Sequence, residues 1–294
     1  MKRIFLFLVT NLAVLALLSP VLFVIEHIFG VRLGSGGGFS ELLAVAALFG
    51  CGGALISLAL SKWTAKRIIG VRVIGEPQSD EERWLLSTVH RLSRRVHLVM
   101  PEVGIFDAED MNAFATGARR NAALVAVSTG LLRSMSRTQV EAVLGHEISH
   151  VASGDMVTLA LLQGVLNTFV IVLARIIGNV VDRALFKNDP EDSGAGFLVI
   201  TMVTQFLLGI FAGMIVSWYS RRREFRADRG GADLAGVGSM ISALQVLKRS
   251  EGAPMPSQMQ ALGINGGKTC GWRRLGTSHP SLEERIAALQ SGPA

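Results

Sequence analysis

His146-Glu147-Ile148-Ser149-His150 is the stretch on which the reading of this chain turns. On a helix, residues four apart share a face, so the two imidazoles converge on one point. Neutral histidine nitrogens at that spacing suit Zn²⁺, and Glu147 can reach a water held by the metal. The metal lowers that water's pKa toward neutrality and the carboxylate takes its proton, which makes a nucleophile able to attack carbonyls. The flanks predict the helix this chemistry needs. Ser136 and Gln139 have capping-box spacing, Val140, Val143, Leu144, Ile148 and Val151 recur at helical intervals, and Gly154-Asp155 marks a break.

With 294 residues the chain has room for one large domain or two small ones. Its hydrophobic fraction of 50%, only 6% aromatic, and its mean hydropathy of +0.43 are high because apolar residues are gathered into long runs. The net charge of +6 and pI near 9.9 come from Lys and Arg placed beside those runs. That placement fits anionic lipid headgroups and control of topology, and no basic–aromatic interleaving points to nucleic acid. Cys51 and Cys270 lie far apart, which predicts no structural disulfide and no metal-ligand pair.

Ile4 to Ile25, Leu42 to Leu60, Val157 to Ile177 and Phe197 to Trp218 are each long enough to span a bilayer. Lys2-Arg3 ahead of the first run also suits a secretory leader. That run is longer than a leader's apolar core, however, and no A-x-A-like site follows, so a retained helix is expected. Thr158, Gln163, Asn167, Thr168 and Arg175 in the third run would also suit a buried core helix. The stretches 31–40, 179–196 and 252–276 read as turns or loops. Asp80 to Leu98 predicts an amphipathic surface helix, Glu102 to Phe106 and Leu124 to Val127 short strands, and Gly231 to Leu247 a helix. A closing helix from the Ser281–Glu284 capping box runs through Leu289. With four spanning helices, Lys2-Arg3, the basic group 62–72 and Arg221 to Arg223 share a side, which places both termini and His146 in the cytoplasm. The expected division is a transmembrane hairpin at 1–61, cytoplasmic segments at 62–156, with the His146–His150 motif, and at 220–294, with Glu224, and a second hairpin at 157–219.

A catalytic zinc site needs a third protein ligand. A hairpin after His150 returns the chain to the same side, where Glu224 is the first acidic residue. Asp228, one turn on, is placed to accept a hydrogen bond from a ligand imidazole. The same carboxylates could instead only balance Arg221 to Arg223. Both ligand helices would then lie within roughly 10 Å of the membrane surface, counted at 1.5 Å per helical residue. Gly145, Gly230 and Gly231 stand where better helix formers are expected, at about 1 kcal/mol each. His279, alone before the closing helix, reads as an exposed structural histidine.

Met111 to Gly117, Ala126 to Leu132, His146 to His150, Gly154 to Met156, Arg221 to Asp228 and Ser278-His279-Pro280 together resemble the HtpX family of membrane-bound zinc metalloproteases. The resemblance covers nearly the whole chain and extends, more distantly, to CAAX prenyl endopeptidases. It implies a mainly α, α+β protein of four transmembrane helices plus a zincin-like (gluzincin) cytoplasmic metalloprotease domain with a small β-sheet. It implies an ATP-independent endopeptidase of the bacterial inner membrane, active in stress against misfolded membrane proteins. Its partners would be those polypeptides and the lipid bilayer, with no nucleic acid and no nucleotide. It further implies one zinc per chain held by His146, His150 and Glu224, with Glu147 as general base and later proton donor. Asn112, Ala113 and Phe114 would lie on an edge strand to which substrate adds, and His279 would help stabilise the oxyanion. Three rival readings stand beside it. A transporter with an intramembrane metal site conflicts with the polar flanks Ser134 to Gln139 and Ser153 to Asp155; a soluble enzyme with a cleaved leader and a non-catalytic scaffold are the others.

Overall fold

The apolar runs and capping signals resolve into eight α-helices, one 3-10 turn (Arg120–Ala122) and four strands among the described residues of the computed structural model, which are 39–186, 195–249 and 279–292. The chain divides into two compact units, 1–53 with 163–212 and 54–162 with 213–294. Three helices, α1 (Phe39–Arg67), α5 (Asp155–Phe186) and α6 (Ala195–Ala235), are long and apolar enough to cross a membrane. Only 6 to 11% of their apolar windows is buried by protein, so most of that surface faces outward, as lipid contact requires. The first apolar run, Ile4 to Ile25, lies outside the described residues, as do Cys270 and the 252–276 stretch; Cys51 is a free thiol.

In the first unit, helices approach closely at small residues. A Cβ on Gly164 would stand 2.9 Å from Cys51 Cα, and Thr168 Oγ1 donates to Gly164 O at 2.9 Å. Two boundaries differ from the sequence expectation. Helix α5 continues past Ile177 to Phe186, because Val180 and Val181 extend the apolar pattern and no proline intervenes before Pro190. Helix α6 runs on from the apolar run through Glu224 and Asp228, helical as their spacing predicts, to Ala235, so the helix expected over Gly231 to Leu247 is divided and its first residues belong to α6. It stops at Gly236, which adopts φ +94°, and α7 (Val237–Arg249) follows.

The second unit is built on a mixed sheet of β1 (Arg72–Val73), β2 (Glu102–Phe106), β3 (Ala113–Thr116) and β4 (Leu124–Ser128), in the order β1-β2-β4-β3. β2 and β4 are parallel, the other pairs are antiparallel, and β3 lies at an edge. On one face pack α2 (Asp80–Arg95), α4 (Arg137–Ser153), α7 and α8 (Leu282–Gln290), around Leu85, Val125, Val127, Val143, Ile148, Leu244 and Leu282. A short helix, α3 (Thr129–Ser134), joins β4 to α4. The other face buries Phe106, Phe114, Leu124 and Ala126 against Ala65 near the end of α1 and Val71 just before β1. Helix α4 begins at the Ser136–Gln139 capping box and ends at Gly154, whose φ of +66° lets the chain turn directly into α5.

Candidate metal centre

The apolar stripe of α4 faces the core and carries His146, Glu147 and His150 inward, all buried. Helix α6 presents Glu224 and Asp228 to them, each 1% exposed. His146 Nε2 and His150 Nε2 stand 3.1 Å apart, with Glu224 Oε2 3.6 Å from the first and Glu224 Oε1 3.4 Å from the second. Bonds of roughly 2.0–2.1 Å at tetrahedral angles place ligand atoms roughly 3.3 Å apart, so this triangle is the right size for zinc. The chemistry of the donors agrees. Both Glu224 oxygens are buried and, although His279 Nδ1, Arg223 Nε and Arg285 Nη1 stand 3.0 to 3.7 Å away, neither oxygen makes a well-aligned hydrogen bond among the described residues, which leaves their lone pairs available to a cation.

The outer imidazole nitrogens are occupied, which turns both Nε2 lone pairs inward. His146 Nδ1 lies 2.9 Å from Asp228 Oδ1, and His150 Nδ1 lies 2.8 Å from Asp155 Oδ2. Each carboxylate is itself held by an arginine. Arg285 from α8 grips Asp228 through Nε and Nη2, and Arg226 Nη2 reaches Asp155 Oδ1 at 3.1 Å. Arg285 is fully buried and also lies 3.7 Å from Glu224 Oε2. His279 is 11% exposed, not the exposed residue expected, and its Nδ1 stands 3.0 Å from Glu224 Oε2.

Sequence reasoning missed Asp155, Arg226 and Arg285 as parts of the site. In the sequence Asp155 marks a helix break and belongs to the Gly154–Met156 motif, with no role at the site attached to it. For Arg285 one signal was present: it interrupts the stripe of Leu282, Ile286 and Leu289, and a charge on an apolar stripe needs a buried partner.

The three glycines that look weak locally have a tertiary role. A Cβ on Gly231 would stand 2.9 Å from His146 N and 3.2 Å from its Cα; one on Gly145 would stand 3.2 Å from Gly231 Cα. A Cβ on Gly230 would stand 2.9 Å from Ser149 Cβ. Bare backbone at these points lets α4 and α6 approach closely enough for one ion to be shared between them.

Burial disfavours a charged His146, but Asp228 and Glu224 more than offset it and hold its pKa up at about 9. His150 is likewise penalised by burial, yet Asp155 and Glu224 raise it. Burial acts against the Arg285 guanidinium too, and the charge of Asp228 overcomes it. The pocket is therefore built for positive charge, a proton or a metal ion.

Asn112, Ala113 and Phe114 sit at and just before the edge strand, all buried. Asn112 exchanges backbone bonds with Ser128, its N–H donating to Ser128 Oγ at 3.0 Å and its O accepting from Ser128 N at 2.8 Å. Phe114 packs on Phe106 with ring centroids 5.5 Å apart, on the sheet face away from α4.

Residues 79–292 match the sequence pattern of Peptidase family M48. The chain belongs to peptidase family M48. This M48 peptidase is 54% identical over 297 residues to "Protease HtpX" of Alkalilimnicola ehrlichii, covering 99% of this chain and 98% of that one. It is 56% identical over 291 residues to "Protease HtpX" of Xanthomonas oryzae, covering 99% and 97%. With "Protease HtpX homolog" of Thiobacillus denitrificans it shares 53% over 294 residues, covering 99% of both. Among solved structures, S. mikatae Ste24p superposes with a TM-score of 0.63 at 20% identity, over 96% of this chain and 66% of that one, which shows a shared fold. Family membership makes the M48 chain a protease of the metalloprotease class; its His146, His150 and Glu224 form a possible metal site and its apolar helices fit a membrane.

Proposed function

We propose that this M48 peptidase is a zinc-dependent, ATP-independent endopeptidase of the bacterial inner membrane. Both termini and the metal centre face the cytoplasm, and it hydrolyses peptide bonds of misfolded or damaged membrane proteins under stress. The observation that carries the reading is the inward triangle of His146 Nε2, His150 Nε2 and the buried Glu224 carboxylate, with Glu147 on the helix that bears the two histidines. These three residues would hold one zinc per chain. When bound, the metal supplies Lewis acidity, lowering the pKa of water and polarising a peptide carbonyl.

Glu147, one residue beyond His146, takes the proton of the attacking water and returns it to the leaving amine. Asp228 and Asp155 keep each imidazole in the tautomer with Nδ1 protonated. His279, set against Glu224, offers its second ring nitrogen to the developing oxyanion. Substrate adds beside Ala113 and Phe114 as a further strand, guided by Asn112 at the strand's start. In this reading the fold is a gluzincin, completed by a fourth spanning helix at 4–25, with 62–156 and 220–294 forming the protease part. The proximity of His150 to α5, five residues before Asp155, favours substrates held in the membrane.

The test is Glu147→Gln in proteoliposomes with a membrane-tethered reporter. Hydrolysis falls below detection while zinc stays near one per chain; continued cleavage by the variant would overturn the reading.

A further inference from the structure

One end of the sheet gathers basic and apolar side chains. The pairing of Glu102 with Leu124, and of Leu124 with Thr116, brings the segment entering β2 and the β3–β4 connection out at the same end. Lys62 of α1 ties them together, its Nζ 3.0 Å from Glu102 Oε1 and 3.0 Å from Ala122 O, and Lys66 Nζ lies 2.7 Å from Glu102 Oε2. From there α1 crosses the sheet face, packing Ala65 in the Phe106 cluster, and the chain reaches Arg72 opposite Ile105. The helix therefore enters at the Glu102 end, and its preceding apolar residues lead away from that end. Of these, Leu55, Ile56 and Leu60 are 46, 62 and 51% exposed.

Around the Glu102 end, Trp63, Val99 and Met100 are 57, 56 and 38% exposed, and Arg94, Arg119 and Arg120 are exposed as well. The charge reverses across the sheet. Asp107, Glu109 and Asp110 follow the far end of β2, and the acidic start of α2 is drawn there by the Glu82–Arg72 bridge. Among the described residues, exposed Glu76 on the turn after β1 and exposed Asp233, whose carbonyl meets Arg95, stand near the basic end, and Glu102 is neutralised by two lysines.

We propose that this end of the sheet rests on the anionic headgroups of the membrane that α1 enters. Val99 and Met100 dip into the interface beside Trp63, and Arg119 and Arg120 bind lipid phosphates. A bilayer is favoured over a protein partner because the surface is continuous with the apolar helix and carries the charge that complements anionic lipid. The inference rests on the membrane part of the proposed function and is independent of its peptidase part.

The full chain, with both native cysteines replaced by serine, is reconstituted in nanodiscs of phosphatidylcholine with or without phosphatidylglycerol. An environment-sensitive fluorophore is placed at Met100→Cys or, as the far-end control, at Glu109→Cys. With phosphatidylglycerol the label at 100 is blue-shifted, quenched by spin-labelled lipid and protected from iodide, while the label at 109 stays in water. Arg119→Glu with Arg120→Glu abolishes the difference between the two lipid mixtures. A label at 100 that iodide reaches in both mixtures overturns the proposal; protection that is equal in both, or that persists in detergent, overturns anionic headgroups as the occupant. A chain that will not enter nanodiscs overturns the membrane reading beneath it. None of these readouts depends on peptide hydrolysis.

Discussion

Arg285 donates to both oxygens of Asp228, Nε to Oδ2 at 2.7 Å and Nη2 to Oδ1 at 2.5 Å, where neither side chain meets water. Asp228 in turn faces His146 Nδ1, so the clamp orients a proposed metal ligand through its neighbour. Lysine cannot reproduce a two-pronged grip, and methionine leaves Asp228 as an unpaired buried charge. We expect Arg285→Met to destabilise the protein by about 3–5 kcal/mol. Arg285→Lys keeps the charge, and metal affinity drops about 10–100-fold. Chelator competition and thermal melts of both variants check this; unchanged metal affinity in Arg285→Lys would remove the clamp from the site.

Asp155 plays the corresponding part for His150, and Asp155→Asn should weaken metal binding by about 10–100-fold with the fold intact. Arg226→Ala should matter far less, because that arginine is 57% exposed and its ion pair is screened by solvent. If the two variants lose metal equally, the orienting role belongs to the pair and not to the carboxylate.

Alanine at Gly231 would usually stabilise a helix by about 1 kcal/mol. Here its Cβ would press on the His146 backbone, and crowding of that kind costs about 1–3 kcal/mol. Gly231→Ala should therefore lower both the melting temperature and metal occupancy. Gly145→Ala, with no contact closer than 3.2 Å, should do so less. The order of the two variants is the measurement; a reversed order would break the account of the helix crossing.

Metal must displace protons from this pocket. With His146 held up at about 9, uptake should strengthen with pH by about tenfold per unit for each proton released, levelling off above about 9. The metal-free protein should behave oppositely. The raised His146 contributes stability that is complete below about 6.5 and is lost as pH rises through about 9. Calorimetric titrations in buffers of different ionisation enthalpy, paired with melts at pH 6 and pH 9, would separate the two trends.

What the sequence disclosed was local. The capping box at Ser136, the stripe on α4, the strand at Glu102 to Phe106 and the turn at Gly154 all depend on neighbours a few residues away. The placement of Glu224 beside the histidines was reachable because a hairpin must return the chain to its side. The roles of Asp155 and Arg285 were not, since each is defined by a partner on another helix; the charge of Arg285 on an apolar stripe signals a buried partner without saying which. The glycines misled for the same reason: propensity scores the helix they occupy and ignores the helix they admit. Strand β1, two residues long, is too short to carry any periodicity. Helical spacing at Glu224 and Asp228 was legible, whereas the break at Gly236 was not, because glycines at 230, 231, 236 and 238 give no local sign of which one ends the helix.

The grip of Arg285 on Asp228 joins stretches of chain that lie far apart in sequence, with 250–278 as the covalent link between the helix bearing Arg285 and the rest. A single clip in that link would leave His146, His150 and Glu224, the proposed ligands, on one fragment and Arg285 on the other. The orientation of His146 by Asp228 therefore rests on a grip that such a scission would leave non-covalent.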